Sequence, residues 1–286
     1  MRTISHTNPG PVRLVLNLGP GTVRLIVEDR DTAEITLAPL REGDDVATDL
    51  ITQAEVDHAC HVLAVTVPRP SAGDTAACTV MQSAGGVRIT QSHSVVRGNV
   101  TGLIITGGEV LMAGGRIAFG GATLTTGGQV RAEVRLPIGS SLTFDTDAAD
   151  LYASGHLVDL VFHSQSGRLV ADSIGTLAAS TTSGGVGAVS VTTGSVKTMS
   201  GDVAADYIQT MRAQTMSGDV TLIPAAPGHR AEISTMSGDV RVTAHHDGHV
   251  DASTMSGDIT VLAAQSRTVT TNTRSMSGRV RVPGTR

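Results

Sequence analysis

The sequence predicts an all-β chain: a β-solenoid, or β-helix-like stack, of coils of about 17–21 residues, with a β-rich N-terminal region. Three observations carry that prediction. First, one six-residue phrase recurs seven times: Ser164-Gln-Ser-Gly-Arg-Leu169, Thr181-Thr-Ser-Gly-Gly-Val186, Thr198-Met-Ser-Gly-Asp-Val203, Thr215-Met-Ser-Gly-Asp-Val220, Thr235-Met-Ser-Gly-Asp-Val240, Thr254-Met-Ser-Gly-Asp-Ile259 and Ser275-Met-Ser-Gly-Arg-Val280. Its glycines are 17, 17, 17, 20, 19 and 21 residues apart, and a period near 20 marks stacked structural repeats. Second, 33 glycines, frequent Thr, Val and Ser, and a single lysine (Lys197) describe strands and turns rather than helices. Third, there is no Trp, and Phe119, Phe144, Phe162, Tyr152 and Tyr207 are the only aromatic rings. A globular core usually leans on rings; a narrow coil can fill itself with Val, Ile, Leu, Ala, Met and Thr.

The elements follow in order. Val12-Arg-Leu-Val-Leu16, Val23-Arg-Leu-Ile-Val27 and Ala33-Glu-Ile-Thr-Leu37 alternate apolar and polar residues, so they read as strands separated by turns at 18–21 and 28–31. The acidic stretch 41–57 is a loop or a short helix. His61–Val67 is a strand closed by Pro68 and Pro70. Residues 1–70 thus form a β-rich N-terminal region or cap. Residues 71–130 are Gly-rich and read as degenerate coils or an insertion. Ala84-Gly-Gly-Val87, Thr106-Gly-Gly-Glu-Val110 and Thr126-Gly-Gly-Gln-Val130 echo the later phrase, and the interspersed Ile89, Leu103 and Ile117 are too apolar for a flexible linker. Val130–Leu136 alternates cleanly, and residues 131–286 form the regular Ser-Gly-Asp-Val solenoid.

Within each coil the bend is expected at Ser166-Gly167, Ser183-Gly184, Ser200-Gly201-Asp202, Ser217-Gly218-Asp219, Ser237-Gly238-Asp239, Ser256-Gly257-Asp258 and Ser277-Gly278. Glycine admits a positive φ, and a neighbouring Asp or Ser closes the turn by hydrogen bonding its backbone. Val-x-Val then alternates buried and wet positions. Seven coils with strands paired at about 4.8 Å give an array of about 29 Å. Met199, Met216, Met236, Met255 and Met276 alternate with hydroxyl residues, so they are predicted to point inward and stack, leaving the Thr-x-Ser pairs as outward hydroxyl ladders.

Charge and motifs exclude several classes. The net charge is −5; the first 160 residues carry 11 basic against 17 acidic groups, the remainder 10 against 9. No basic patch, and so no nucleic-acid partner, is indicated. Cys60 and Cys78 form no metal motif and read as two reduced, buried thiols rather than one bridge. No apolar run has the length of a membrane span, and the first residues lack a signal-peptide core, which leads to a cytoplasmic expectation.

Candidate chemistry is sparse. One Asp per coil supplies too few oxygens for a calcium site of 6–8 ligands. His245-His246-Asp247-Gly-His249 is the densest set of ligand-type residues, but Asp-Gly turns are polar by default, and the reading is a solvated loop. Catalytic residues, cofactors and metals are assigned to none. Polysaccharide cleavage needs converging carboxylates and benefits from aromatic platforms, whereas these aspartates occupy equivalent, separate positions.

The repeated Thr-Met-Ser-Gly-Asp-Val, following a strand and proline of the form Val134-Arg-Leu-Pro-Ile-Gly139, resembles the bacterial β-strand-repeat family carrying DUF4097, also labelled "putative adhesin". The resemblance covers residues 130–286 strongly and 10–70 weakly. It implies a β-solenoid-like fold, no established catalytic residues and, for some relatives, a link to envelope stress. The functional expectation is a non-enzymatic, adhesin-like scaffold presenting a repetitive surface to a protein or surface partner, with self-association through its open end. The alternative is a carbohydrate-active or polysaccharide-binding β-helix protein.

Overall fold

Alternation of apolar and polar residues, with glycine-centred bends every 17–21 positions, produces strands that can bury one face only by lying on like strands. The computed structural model describes residues 1–69, 128–264 and 267–283, and the backbone of four short strands between 77 and 119.

The chain begins with β1 (Arg2–Ser5), β2 (Arg13–Leu18), β3 (Gly21–Glu28) and β4 (Glu34–Pro39). The acidic stretch then forms helix α1 (Asp45–Thr52). It starts where it does because the Asp44 carboxylate accepts the Ala47 N–H at 3.0 Å. Ala47, Leu50 and Ile51 are its buried residues. Next come β5 (Glu55–Ala59) and β6 (Val62–Thr66). In the glycine-rich stretch, β7 (Ala77–Ser83) pairs antiparallel with β8 (Gly86–Ser92), and β9 (Val110–Ala113) with β10 (Arg116–Phe119), as two separate sheets. The glycine pairs at 85–86, 107–108 and 127–128 lie wholly or in part outside the described residues.

The stack proper takes in β11 (Val130–Pro137), β12 (Ser141–Thr146), β13 (Ala149–Ser164), β14 (Leu169–Thr181), β15 (Val186–Thr198), β16 (Val203–Asp206), β17 (Ile208–Ser217) and β18 (Val220–Ile223). It continues through β19 (His229–Ser237), β20 (Val240–Ala244), β21 (Gly248–Ser256), β22 (Ile259–Ala263), β23 (Val269–Ser277) and β24 (Val280–Arg281). Two parallel ladders run along it. One passes through β6, β2, β12, the far halves of β13, β14 and β15, then β17, β19, β21 and β23. The other passes through β11, β3, the near halves of β13, β14 and β15, then β16, β18, β20, β22 and β24. The N-terminal strands therefore share the same ladders as the repeats: Arg13 lies opposite Ser141, and Gly21 opposite Ala149. Antiparallel pairs β5–β6, β1–β4 and β4–β11 line that end.

The core is a thin seam between the ladders. Val203, Val220, Val240 and Ile259 stack in register on one side, and Ala213, Ile233 and Ala252 on the other, all buried. Phe144 and Phe162 lie in register near the start, with ring centroids 5.9 Å apart. At the last coil the inner residues Val269, Thr271, Thr273 and Ser275 are only partly covered, and Val280 is 41% exposed.

Candidate functional site

The repeated turn has one inward residue at its entry and one at its exit. In Thr198-Met-Ser-Gly-Asp-Val203, Thr198 and Val203 are buried, whereas Met199, Ser200 and Asp202 are exposed. The same order holds at 215–220, 235–240 and 254–259. This corrects the expectation for the methionines: they point outward, and the threonines point in. The corner is narrow, and there the small hydroxyl side chain meets the turn backbone. Ser164 Oγ accepts the Gly167 N–H at 2.6 Å, and Thr181 Oγ1 accepts the Gly184 N–H at 3.0 Å. In later coils the glycine N–H instead reaches the serine carbonyl of the next coil: Gly218 to Ser237, Gly238 to Ser256 and Gly257 to Ser277, at 3.0–3.1 Å. That switch leaves Thr215 and Thr235 Oγ1 buried without a partner, while Thr254 Oγ1 and Ser275 Oγ donate to the carbonyls of Gly238 and Gly257. Ser200, Ser217, Ser237 and Ser256 stay exposed, so the outward hydroxyl row is serine alone.

Sequence reading missed two degenerate copies of this turn. Thr146-Asp-Ala-Ala-Asp-Leu151 has the same hydrogen bond, from Ala149 N–H to Thr146 Oγ1 at 2.9 Å. Leu18-Gly-Pro-Gly-Thr-Val23 sits one ladder step earlier, since Gly21 is paired with Ala149. Neither contains Ser-Gly; the shared signal is a small residue three positions after the last inward side chain of one strand and two before the first of the next.

The glycines are required mainly by contact between coils. A Cβ on Gly184 would overlap the Gly167 carbonyl oxygen; on Gly201, that of Gly184; on Gly218, that of Gly201. The same overlap recurs at Gly238, Gly257 and Gly278. A positive φ, the expected reason, is found only at these last three, at 151°, 144° and 159°.

Each aspartate holds the next coil rather than its own turn. Asp202 Oδ1 accepts the Asp219 N–H at 2.9 Å; Asp219 that of Asp239 at 2.8 Å; Asp239 that of Asp258 at 2.8 Å; and Asp258 that of Arg279 at 2.7 Å. Asp150 does the same for Arg168 at 2.8 Å. These are charge-assisted bonds along the array axis.

Met199, Met216, Met236 and Met255 are 47–50% exposed and Met276 is 77% exposed. Thr215 and Ser217 face Thr235 and Ser237, so Met216 and Met236 lie side by side; the same register aligns Met236 with Met255, and Met255 with Met276. The result is a continuous apolar ridge edged by exposed serines and carboxylates. A depression of about 350 Å³ lies beside its first two methionines, lined also by Lys197, Gln214 and Ser234.

Other candidate residues do not converge. His245 is exposed, His246 and His249 are half-buried, and among the described residues no group of three His, Cys, Asp or Glu is placed to hold a metal. Cys60 is exposed and free, not buried, because it sits at the β5–β6 turn; the Cys78 side chain lies outside the described residues. A second depression, of about 210 Å³, contains Asp159 as its single carboxylate, with Arg13. His229 is a buried group that sequence reading passed over. Its ring lies against Gly248, where any Cβ would overlap it, and its Nε2 has no partner. Burial pushes its pKa below the usual 6.5, with His246 acting in the same direction and the Ala226 carbonyl and Asp247 opposing. Among the described residues no helix is long and apolar enough to cross a membrane.

These features define a class: a β-solenoid of stapled glycine turns whose regular outer corners, rather than a pocket, are its distinctive surface. The chain belongs to the Toastrack DUF4097 family, whose model matches residues 99–286. No curated protein matches it. Similar solved structures include a "putative adhesin" from Bacteroides fragilis, 13% identical, covering 98% of this chain and 97% of that one at a TM-score of 0.39. Two further adhesin structures so described come from Parabacteroides merdae (8% identity, 98% and 95% covered, TM-score 0.41) and Parabacteroides distasonis (11%, 98% and 97%, 0.39).

Proposed function

We propose that the protein is a non-enzymatic, adhesin-like scaffold that binds its partner through the ridge of Met199, Met216, Met236, Met255 and Met276 and the adjoining serines. One observation carries this reading. Four of the six repeated residues serve the fold itself, since Thr fills the corner, Gly permits coil contact, Asp staples the next coil and Val fills the seam. The intervening residues differ from coil to coil, yet the Met-Ser pairs at 199–200, 216–217, 236–237, 255–256 and 276–277 recur while exposed and, among the described residues, bonded through their side chains to nothing. An exposed row of flexible, polarizable methionines suits adaptable protein contacts. The absence of converging carboxylates in either depression speaks against glycoside cleavage at those places.

The test is co-sedimentation of the purified chain with bacterial cell-envelope fragments. The variant Met216→Ser/Met236→Ser/Met255→Ser is compared with Val189→Ser, which alters an exposed apolar residue elsewhere. Loss of binding in the triple variant alone supports the ridge; equal binding by all three proteins overturns it. Self-association is a second reading, favoured by the outer edge of β23, which has no partner strand among the described residues, and by exposed Val280. Light scattering over a concentration series, with Val280→Lys as comparison, tests it: a concentration-independent monomer sinks it.

A further inference from the structure

We propose that the methionine ridge binds a soft monovalent cation, copper(I) or silver(I), held between thioethers of neighbouring coils; this rests on the reading of the ridge as the working face.

Three properties of the ridge lead there. The first is spacing. Paired parallel strands place equivalent side chains about 4.8 Å apart. A metal–sulfur bond of about 2.3 Å, taken twice in a line, spans about 4.6 Å. Met216 beside Met236, and Met255 beside Met276, therefore bracket a linear two-coordinate ion with only side-chain rotation. The second is ligand chemistry. Thioethers are soft donors that select copper(I) over the hard cations that carboxylates and water prefer. The third is charge: exposed Asp219, Asp239 and Asp258 run parallel to the ridge, three positions along each turn, and their negative charge favours a cation there.

Apolarity alone does not account for methionine at these positions. Leu, Ile or Val would give an equally apolar ridge, and Met loses more side-chain freedom when ordered than Leu or Ile. What recurs at five successive corners, and what those residues lack, is sulfur. The ridge also has a defined start, because Gln165 and Thr182 occupy the corresponding corners of the first two coils.

The experiment titrates the full chain with silver(I) by calorimetry. In parallel, it lets the chain compete for copper(I) against a chromophoric chelator under reducing conditions. The expected result is at least two ions per chain and a sulfur-only first shell near 2.3 Å by X-ray absorption. Met216→Leu/Met236→Leu/Met255→Leu keeps the apolar ridge and leaves Met199 and Met276 as isolated thioethers with no neighbouring sulfur. It is expected to weaken binding at least tenfold with an unchanged melting temperature. Replacing His245, His246 and His249 by alanine should leave binding intact. No withdrawal of metal from the chelator, binding retained by the leucine variant, or loss in the histidine variant would each overturn the proposal. Envelope binding lost in the serine variant but kept in the leucine variant preserves the binding-face reading, so the two ideas fail separately.

Discussion

Adjacent glycines 184 and 185 should respond to substitution with opposite signs. Both stand in one turn. A Cβ on Gly184 would overlap the carbonyl oxygen of Gly167 and approach Thr181 Oγ1 to 2.8 Å. Neither φ is positive, so steric contact rather than backbone preference decides. The obstructing atom is backbone of the turn between β13 and β14, strands that are both held in the ladders, so the coils must part locally. Overpacking of this kind costs about 3 kcal/mol, which in a chain of this size lowers Tm by about 6–9 °C. At Gly185 the nearest atom to a new Cβ is Asp202 O at 3.6 Å, an ordinary contact.

Gly185 also occupies the place that Asp202, Asp219, Asp239 and Asp258 hold in later coils. Gly185→Asp therefore supplies a carboxylate for the Asp202 N–H, as Asp202 does for Asp219. Restricting the unfolded chain contributes about 0.5 kcal/mol, and the new bond adds about as much after repulsion from Asp202. The net gain is about 1 kcal/mol, or a Tm higher by about 2–3 °C. Thermal unfolding followed by far-UV circular dichroism measures both. A Gly184→Ala protein that melts with the wild type, or a Gly185→Asp protein that melts well below it, refutes the stacking account.

Two further perturbations follow from the same geometry. Asp219→Ala leaves the exposed Asp239 N–H to water and should cost about 1 kcal/mol, read as a Tm about 2–3 °C lower; an unchanged Tm means the staple is idle. His229 binds its proton less readily folded than unfolded, so its share of stability is complete above the unfolded pKa of 6.5 and is lost as pH falls below it through the folded value. The groups facing it are His246 and Asp247. His229→Leu should thus lose less Tm than the wild type between pH 7.5 and 5.0, and parallel losses in the two proteins would show that His229 does not titrate across folding.

The stack was legible because its period is written in glycines, and the ladders pair those glycines' neighbours in register. Within the acidic stretch at 41–57, residues 45–52 form a helix through one cap, Asp44, while residues 55–57 pair with β6 as the start of strand β5, which the reading as a loop or short helix did not foresee. Reading failed at the corners. Strict alternation holds along a strand, but the turn places Met and Ser outward in succession, so the alternation of each methionine with its flanking hydroxyl residues wrongly sent the methionines inward. The aspartate staples were invisible for another reason: their partners are 17–21 residues away, whereas local turn chemistry offers partners two or three residues away. The early copies at 18–23 and 146–151 escaped because their identity lies in geometry and one buried hydroxyl, not in shared letters.

The C-terminal end ranks the two proposed modes of association. Asp258 accepts the Arg279 N–H, but Arg279 offers no carboxylate for a further coil. Thr271 and Thr273 stand where the preceding coil buries Val250 and Ala252. An added coil or copy would therefore meet hydroxyls at the seam and a missing staple. Among the described residues, the apolar side chains at that seam are Val269, Val280 and Val282. Full burial of a valine yields about 1.5 kcal/mol at the lower end, and each is already partly covered, so together they return about 3 kcal/mol. Bringing two molecules together costs about 4–15 kcal/mol. Contact through this face is therefore weak unless the β23 edge also pairs. The ridge faces no such opposition: its residues are exposed, repeated five times and already in register, which favours the proposed lateral contact over the proposed end contact.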